Sequence, residues 1–271
     1  LKVINTIRQL YAPVQPSVKQ TTSQVAYHEF LPDIRLQDFI YCYWELKTSE
    51  MLDSPYIYRV VADGCMDIFF ELDNPQENYI MGFSRKYTEF SIGRSFHYIG
   101  IRFLPAMLPH LFKVDAAELS NRVEALQDVL PGMAAFITNT FHPLQSTYSL
   151  NVVLDQYFLN HLSKTTLTTD NRLHQAIHII LQRHGVLNIE TELDTGISPR
   201  QLRRLFEFYI GDTAKTFSKV VRFQNILHAK PSVQSLRQNK LFFDSGYYDQ
   251  AHFIKEFKSF YGITPKQAFL D

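Results

Sequence analysis

Arg200, Gln201, Arg203 and Arg204 sit together in "SPRQLRRLF", and Gln250, His252 and Lys255 sit together in "DQAHFIKEF". Arginine can give two parallel hydrogen bonds to guanine O6 and N7 or to a phosphate, and glutamine can do the same for adenine. Lysine and histidine add donors for phosphate oxygens. Residues three and four apart share one side of a helix, so each set would line one helix face with donors. Such a face recognises a polyanion with readable edges, and double-stranded DNA is the partner it predicts.

The segments that position these residues are two copies of one unit. Leu202 and Phe253, Phe206 and Phe257, Gly211 and Gly262, Thr213 and Thr264, and Lys215 and Lys266 are each 51 positions apart. Gly196 and Gly246 differ by 50, a one-residue change confined to the turn. In each copy a glycine ends one helix, as a residue without Cβ suits the left-handed C-terminal position. Ser198 or Asp249 then caps the next helix. Leu202, Leu205, Phe206 and Tyr209, or Phe253, Phe257 and Phe260, give that helix a buried stripe. Helix, glycine turn and amphipathic helix make a helix-turn-helix, whose second helix enters the major groove.

Between the copies, "TFSKVVRFQNILHA" has a stripe of Phe217, Val220, Val221, Gln224 and Leu227. It predicts a linker helix holding two readers at a fixed separation, for groove segments about 34 Å apart along one duplex.

Upstream, the period changes. "FIYCYWELK", "YIYRVV", "MDIFFEL", "NYIMGF" and "FHYIGIRF" are short aromatic and β-branched runs broken by turn residues between Val25 and about Phe103. They predict an antiparallel sandwich or small barrel. "DAAELSNRVEALQDVL" and "YSLNVVLDQYFLNHLSK" follow with helical spacing. These later helices, from Leu119 to Leu162, serve either as a dimer contact or as a cap on the β part. The polar stretch from Ser163 to Asp170 marks a boundary. The expected architecture is α+β with two domains. Residues 1–165 form a β-barrel or sandwich (cupin-like) with C-terminal helices, and residues 170–271 form an all-α domain with two helix-turn-helix units joined by a linker helix.

Lys plus Arg and Asp plus Glu number 27 each, so net charge says nothing about partners. From Asp170 onward the bases lead 14 to 10, and before it the acids lead 17 to 13, an asymmetry compatible with a polyanion partner for the C-terminal part. Cys42 and Cys65 lie among apolar residues and read as buried free thiols. No apolar run approaches the roughly 20 residues that span a bilayer, and "LKVINTIRQL" lacks a signal-peptide core. The chain is therefore expected in the cytoplasm, without membrane contact.

Other chemistry finds little support. His174 and His178 are one helical turn apart, a zinc spacing without a third ligand, and His97 and His110 have no His-x-His neighbour. No metal, no cofactor and no enzymatic activity are expected, since Gly-x-Ser-x-Gly and Gly-rich phosphate loops are also missing. Trp44, Arg59, Asp63 and Asp67 lie near predicted strands and are candidates for holding a small-molecule effector inside the β part. The plainer alternative has Trp44 in the core and Arg59 in a structural ion pair.

"SPRQLRRLFEFYIGDTAKTFSKVVRFQNIL" and "DSGYYDQAHFIKEFKSFYGITPKQAF" together resemble the DNA-binding domain of AraC/XylS-type bacterial transcription regulators. The resemblance covers about the last hundred residues and is most specific in the second segment. It implies that Arg200, Arg203 and Arg204, and Gln250, His252 and Lys255, face DNA. "RVVADGCMDIFFEL" and "YIGIRFLPAMLPHLF" are similar, more loosely, to the β-rich sensor domains of some members. The implied function is transcription regulation, as an activator or otherwise, with an effector, RNA polymerase and a second copy of the chain as further partners. The chain departs from the family where a small residue precedes each turn glycine by four, placing Glu192 and Phe242 there. That departure keeps open a ligand- or protein-binding module whose helical domain no longer reads DNA; a barrel enzyme is a separate, weaker alternative, against which the missing ligand cluster counts.

Overall fold

The computed structural model describes residues 7–16, 24–142, 147–166, 170–229 and 246–269. A short helix α1 (Ile7–Leu10) is followed by strands β1 (Val25–Phe30), β2 (Ile40–Thr48), β3 (Ile57–Val60), β4 (Met66–Glu71), β5 (Asn78–Met81), β6 (Thr88–Ser91) and β7 (His97–Phe103). Six strands, with β8 (Val123–Ala125) at one edge, form a sheet in the order β1-β2-β7-β4-β5-β8, and β3 pairs with β6 in a separate ribbon. Every pairing is antiparallel. The arrangement is sandwich-like, and the closed barrel that the sequence also allowed does not form. Alternation explains the faces: in "MDIFFE" of β4, Met66, Ile68 and Phe70 are buried while their neighbours are half-buried.

Helices α2 (Met107–Phe112), α3 (Ala116–Leu119), α4 (Leu126–Val129), α5 (Pro131–Thr140) and α6 (Thr147–Lys164) complete the N-terminal part. β8 interrupts the stretch read as continuously helical, because three residues that pair with β5 are too few to show a period of two. On α6, Leu150, Leu154 and Phe158 are buried. Phe158 meets Phe103 of β7 edge-on at 5.7 Å, and Tyr43 of β2 donates to Asp155 at 2.9 Å. α6 therefore caps the sheet. Cys42 and Cys65 are free and buried, and burial pushes both thiols up.

The C-terminal part is helical: α7 (Asn171–Gln182), α8 (Ile189–Glu192), α9 (Pro199–Ile210), α10 (Ala214–Ala229), α11 (Gln250–Tyr261) and α12 (Pro265–Ala268). α10 packs against both α9 and α11. Its Phe223 lies 5.4 Å from Phe257 and 5.2 Å from Phe260 of α11, fully buried. Burying one such ring contributes about 2–3 kcal/mol, so this aromatic cluster seats α11 on the linker helix.

The two parts share a continuous hydrophobic core running from Ile7 and the strands to Phe217, Phe257 and Tyr261. Polar contacts reinforce the seam. Ala62 N–H donates to the Phe260 carbonyl at 3.3 Å and Tyr87 N–H to the Ser259 carbonyl at 3.2 Å. Arg85 pairs with Asp212 in the turn after α9. Among the described residues no helix is long and apolar enough to cross a membrane.

Candidate functional site

The duplication seen in sequence is a duplication of backbone states. Gly196 and Gly246 have φ of 70° and 72°, and Gly211 and Gly262 have φ of 96° and 98°, all in the left-handed region. Ser198 accepts from the Gln201 N–H at 3.3 Å and Asp249 from the His252 N–H at 2.7 Å, so both reader helices are capped at the same position. Thr213 and Thr264 repeat the device on the helices that follow, at 3.2 and 3.4 Å. Leu202, Phe206 and Ile210 of α9 are buried, as are Phe253, Phe257, Phe260 and Tyr261 of α11.

Arg200, Gln201, Arg203 and Arg204 are exposed on the outer side of α9, and Gln250, His252 and Lys255 on that of α11. Their engagement differs. Gln201 closes a capping box, its Oε1 accepting the Ser198 N–H at 3.3 Å. Arg203 donates to Glu207 one turn on at 2.7 Å, and Glu207 holds its guanidinium charged. Arg204 has no ion-pair partner among the described residues, but with Gln201 it lines an open cleft of about 610 Å³ that also touches Asp115, Ala117 and Asp170. α3 thus runs beside one flank of α9 while Arg200 and Arg203 face outward. On α11, His252 lies 3.9 Å from Glu256 and keeps 45% of its side chain exposed. Tyr248, two residues before α11, is 89% exposed. Its place beside Gln250 makes it a further candidate contact, one that the sequence reading did not single out.

Glu192 is exposed, and its carboxylate accepts the Asn188 N–H at 2.7 Å. A side chain that caps its own single-turn helix does not occupy a helix crossing, so no small residue is needed there. Phe242 lies outside the described residues.

A second feature lies between the six-stranded sheet and the β3–β6 ribbon: a cavity of about 390 Å³. Trp44 and Asp67 line it, whereas Arg59 does not. Arg59 turns to Glu89, donating at 2.9 and 2.6 Å, and lies over the Tyr87 ring. Trp44 Nε1 donates to Asp67 at 3.0 Å. Sequence reading missed Arg102, the one charged residue within the run Ile99–Phe103. It is 1% exposed and donates to Asp67 at 3.2 and 3.0 Å, with Asp63 at 3.6 Å and Glu29 at 3.8 Å. Burial raises the Asp67 carboxyl above its ordinary value despite the opposing pull of Arg102.

The described residues contain no group of three or more His, Cys, Asp and Glu side chains fit to hold a metal. His174 is buried and stacks on His110, which stacks on Tyr209. This is packing between α7, α2 and α9.

Two capped, glycine-bounded helices are joined by a buried linker helix, as a double helix-turn-helix requires, and the helix expected before Gly246 lies outside the described residues. Residues 194–269 match the family described as helix-turn-helix domain, and residues 28–125 match a domain of unknown function, DUF6597. The chain therefore joins a β-rich N-terminal part to a C-terminal part that matches a helix-turn-helix domain. No protein of curated description matches it. Among solved structures it is similar to ToxT from Vibrio cholerae O395, with 9% identity and a TM-score of 0.44 over 92% of this chain and 98% of that one. It is also similar to wild-type ToxT from Vibrio cholerae strain SCE256, solved with an unsaturated fatty acid bound, with 11% identity and a TM-score of 0.40 over 92% and 96% of the two chains.

Proposed function

We propose that the protein reads operator DNA with α9 and α11 in successive major-groove segments, under the control of a small molecule in the N-terminal cavity. The observation that carries the reading is the matched pair of capped helices on one linker, each presenting donors outward. In this reading Arg200 and Arg203, exposed on the first unit, make phosphate and base contacts, and Gln250, His252 and Lys255, with Tyr248, make those of the second. Gln201 positions α9 through its capping box, and Arg204 comes into play as the duplex replaces α3 beside it.

The division of labour follows residues 1–165 for sensing and 170–271 for DNA. A DNA partner places the protein in the cytoplasm, and RNA polymerase and a second copy of the chain are the partners through which it would act on transcription. Selection of bound sequences from a random duplex pool tests the reading. Two short conserved blocks about one helical turn apart are expected. A single block would remove one unit from the mechanism, and no enrichment with no salt dependence would remove DNA reading altogether.

A further inference from the structure

The cavity between sheet and ribbon is walled by rings, among them Trp44, Tyr58, Phe69 and Tyr98. Its charged lining comprises Asp63, Asp67 and Glu89 against the single guanidinium of Arg102. Accessibility sharpens this imbalance. The Arg102 side chain is 1% exposed, while Asp67 and Asp63 keep 13% and 9% of theirs. The charged groups most open to a guest are therefore carboxylates, set among the hydroxyls of Ser84, Ser91, Tyr79 and Tyr98 and beside Arg102 Nη1, which has no hydrogen-bond partner.

Those carboxylates have capacity left. Asp67 takes three hydrogen bonds, two from Arg102 and one from Trp44. Asp63 takes one from Gln15 at 2.7 Å and one from the Cys65 N–H at 3.0 Å. An ionised carboxylate offers about four lone-pair sites. Tyr58 adds an independent sign: its ring lines the cavity, the residue is 7% exposed, and its buried hydroxyl has no hydrogen-bond partner. Such an orphan costs stability unless a guest satisfies it. A carboxylate guest would meet like charge, and an alcohol could satisfy one acceptor. An ammonium brings three donors, and aromatic faces attract it in addition.

We propose that this cavity binds a small organic cation, an ammonium on an aromatic or aliphatic body, and that Gln224 of the linker helix senses its occupancy. The proposal rests on the effector-controlled reading above and names its ligand class. The path outward is short. Gln15 holds both Asp63 and the Val61 backbone, at 3.0 Å in each direction for the latter. Gln224, fully buried on α10, accepts from the Val14 N–H at 2.7 Å and donates to the Ala62 carbonyl at 2.8 Å. A guest that moves Val61–Asp63 therefore moves the seat of the helix between the two readers.

The test titrates the full chain near pH 7.5 with three matched probes: 2-phenylethylamine, 2-phenylethanol and 3-phenylpropanoate. Calorimetry and the shift in thermal midpoint serve as readouts. The amine alone should bind saturably. Asp67→Asn should weaken it at least about tenfold, the loss of one charge-assisted contact. Should that variant fail to fold, Tyr58→Phe, expected to weaken it several-fold, and the cavity-filling Val60→Phe, expected to abolish it, carry the same test. Gln224→Leu should leave amine binding intact and remove its effect on DNA affinity. Equal or tighter binding of the alcohol or carboxylate, or binding of none of the three, overturns the proposal. Retention on random duplex across a salt series, measured without probes, separately tests DNA binding. Failure there sinks the regulator reading without touching the amine result.

Discussion

Arg222 of α10 places its Nη2 2.7 Å from Glu256 Oε1 of α11, and its guanidinium lies 4.1 Å from the centre of the Tyr247 ring. Lys219 adds a second cation to Glu256 at 3.1 Å. Burial works against the Glu256 charge, yet these cations hold its carboxyl below the ordinary value. The linker helix thus grips the second reader by a polar clamp as well as by the Phe223 cluster. Glu256→Ala leaves Arg222 buried without its counter-charge, a loss of about 2–3 kcal/mol. Chemical denaturation should show it. The same variant should bind DNA with the first unit alone, seen as loss of one block from the selected sequence.

Arg204 and Asp115 make a paired prediction, since both line the cleft beside α9. Arg204→Ala should weaken operator binding by about 1–3 kcal/mol if it makes a two-bond base contact. A phosphate role would instead weaken all duplexes alike and flatten the salt dependence. Asp115→Asn keeps the cap on the Ala117 N–H, now 2.9 Å away, while removing a negative charge from the cleft. Operator affinity should rise a few-fold, in keeping with a partly screened charge. Fluorescence anisotropy with a labelled duplex measures both, and an unchanged Asp115→Asn would detach α3 from any part in binding.

Gly246 opens the second unit with φ of 72°, and a Cβ there would lie 2.6 Å from Val186 Cγ1. An L-residue pays about 1–2 kcal/mol for the left-handed conformation before any clash. Gly246→Ala should therefore lower stability by more than that, read as a fall in the denaturation midpoint. Gly196→Ala, with the same φ but nothing within 4 Å of the added carbon, should cost the backbone term alone. Equal losses would show that Val186 yields freely.

What was legible in the sequence was what is local. Glycine, cap and apolar stripe act within a dozen residues, so the offset of 51 between Phe206 and Phe257 carried the two-reader architecture directly. β8 was missed because its pairing with β5 is made by residues more than 40 positions apart, and nothing within "VEA" signals it. Gln201 read as a base contact because its type fits, while its bond to Ser198 depends on rotamer choice. Arg59 looked like a ligand contact and pairs with Glu89 across the β3–β6 ribbon. Arg102 and Gln224 stood in plain view as polar residues within apolar runs. Their partners, Asp67 in the first case and Val14 and Ala62 in the second, are brought in by tertiary structure alone.

His174 gives the protein a pH dependence of known sign. It is 1% exposed, neither ring nitrogen has a hydrogen-bond partner, and burial lowers its pKa from 6.5 to about 4. In the unfolded chain it takes a proton near pH 6.5, and in the fold only near pH 4. Between those values the unfolded state binds more protons, so stability falls as pH falls, by up to about 3 kcal/mol in all. The contribution is fully present above pH 6.5. His174→Phe retains a ring to stack on His110 and cannot titrate. Urea midpoints at pH 7 and pH 5 should therefore differ more in the native chain than in the variant. An equal difference in both would assign the acid sensitivity to another group.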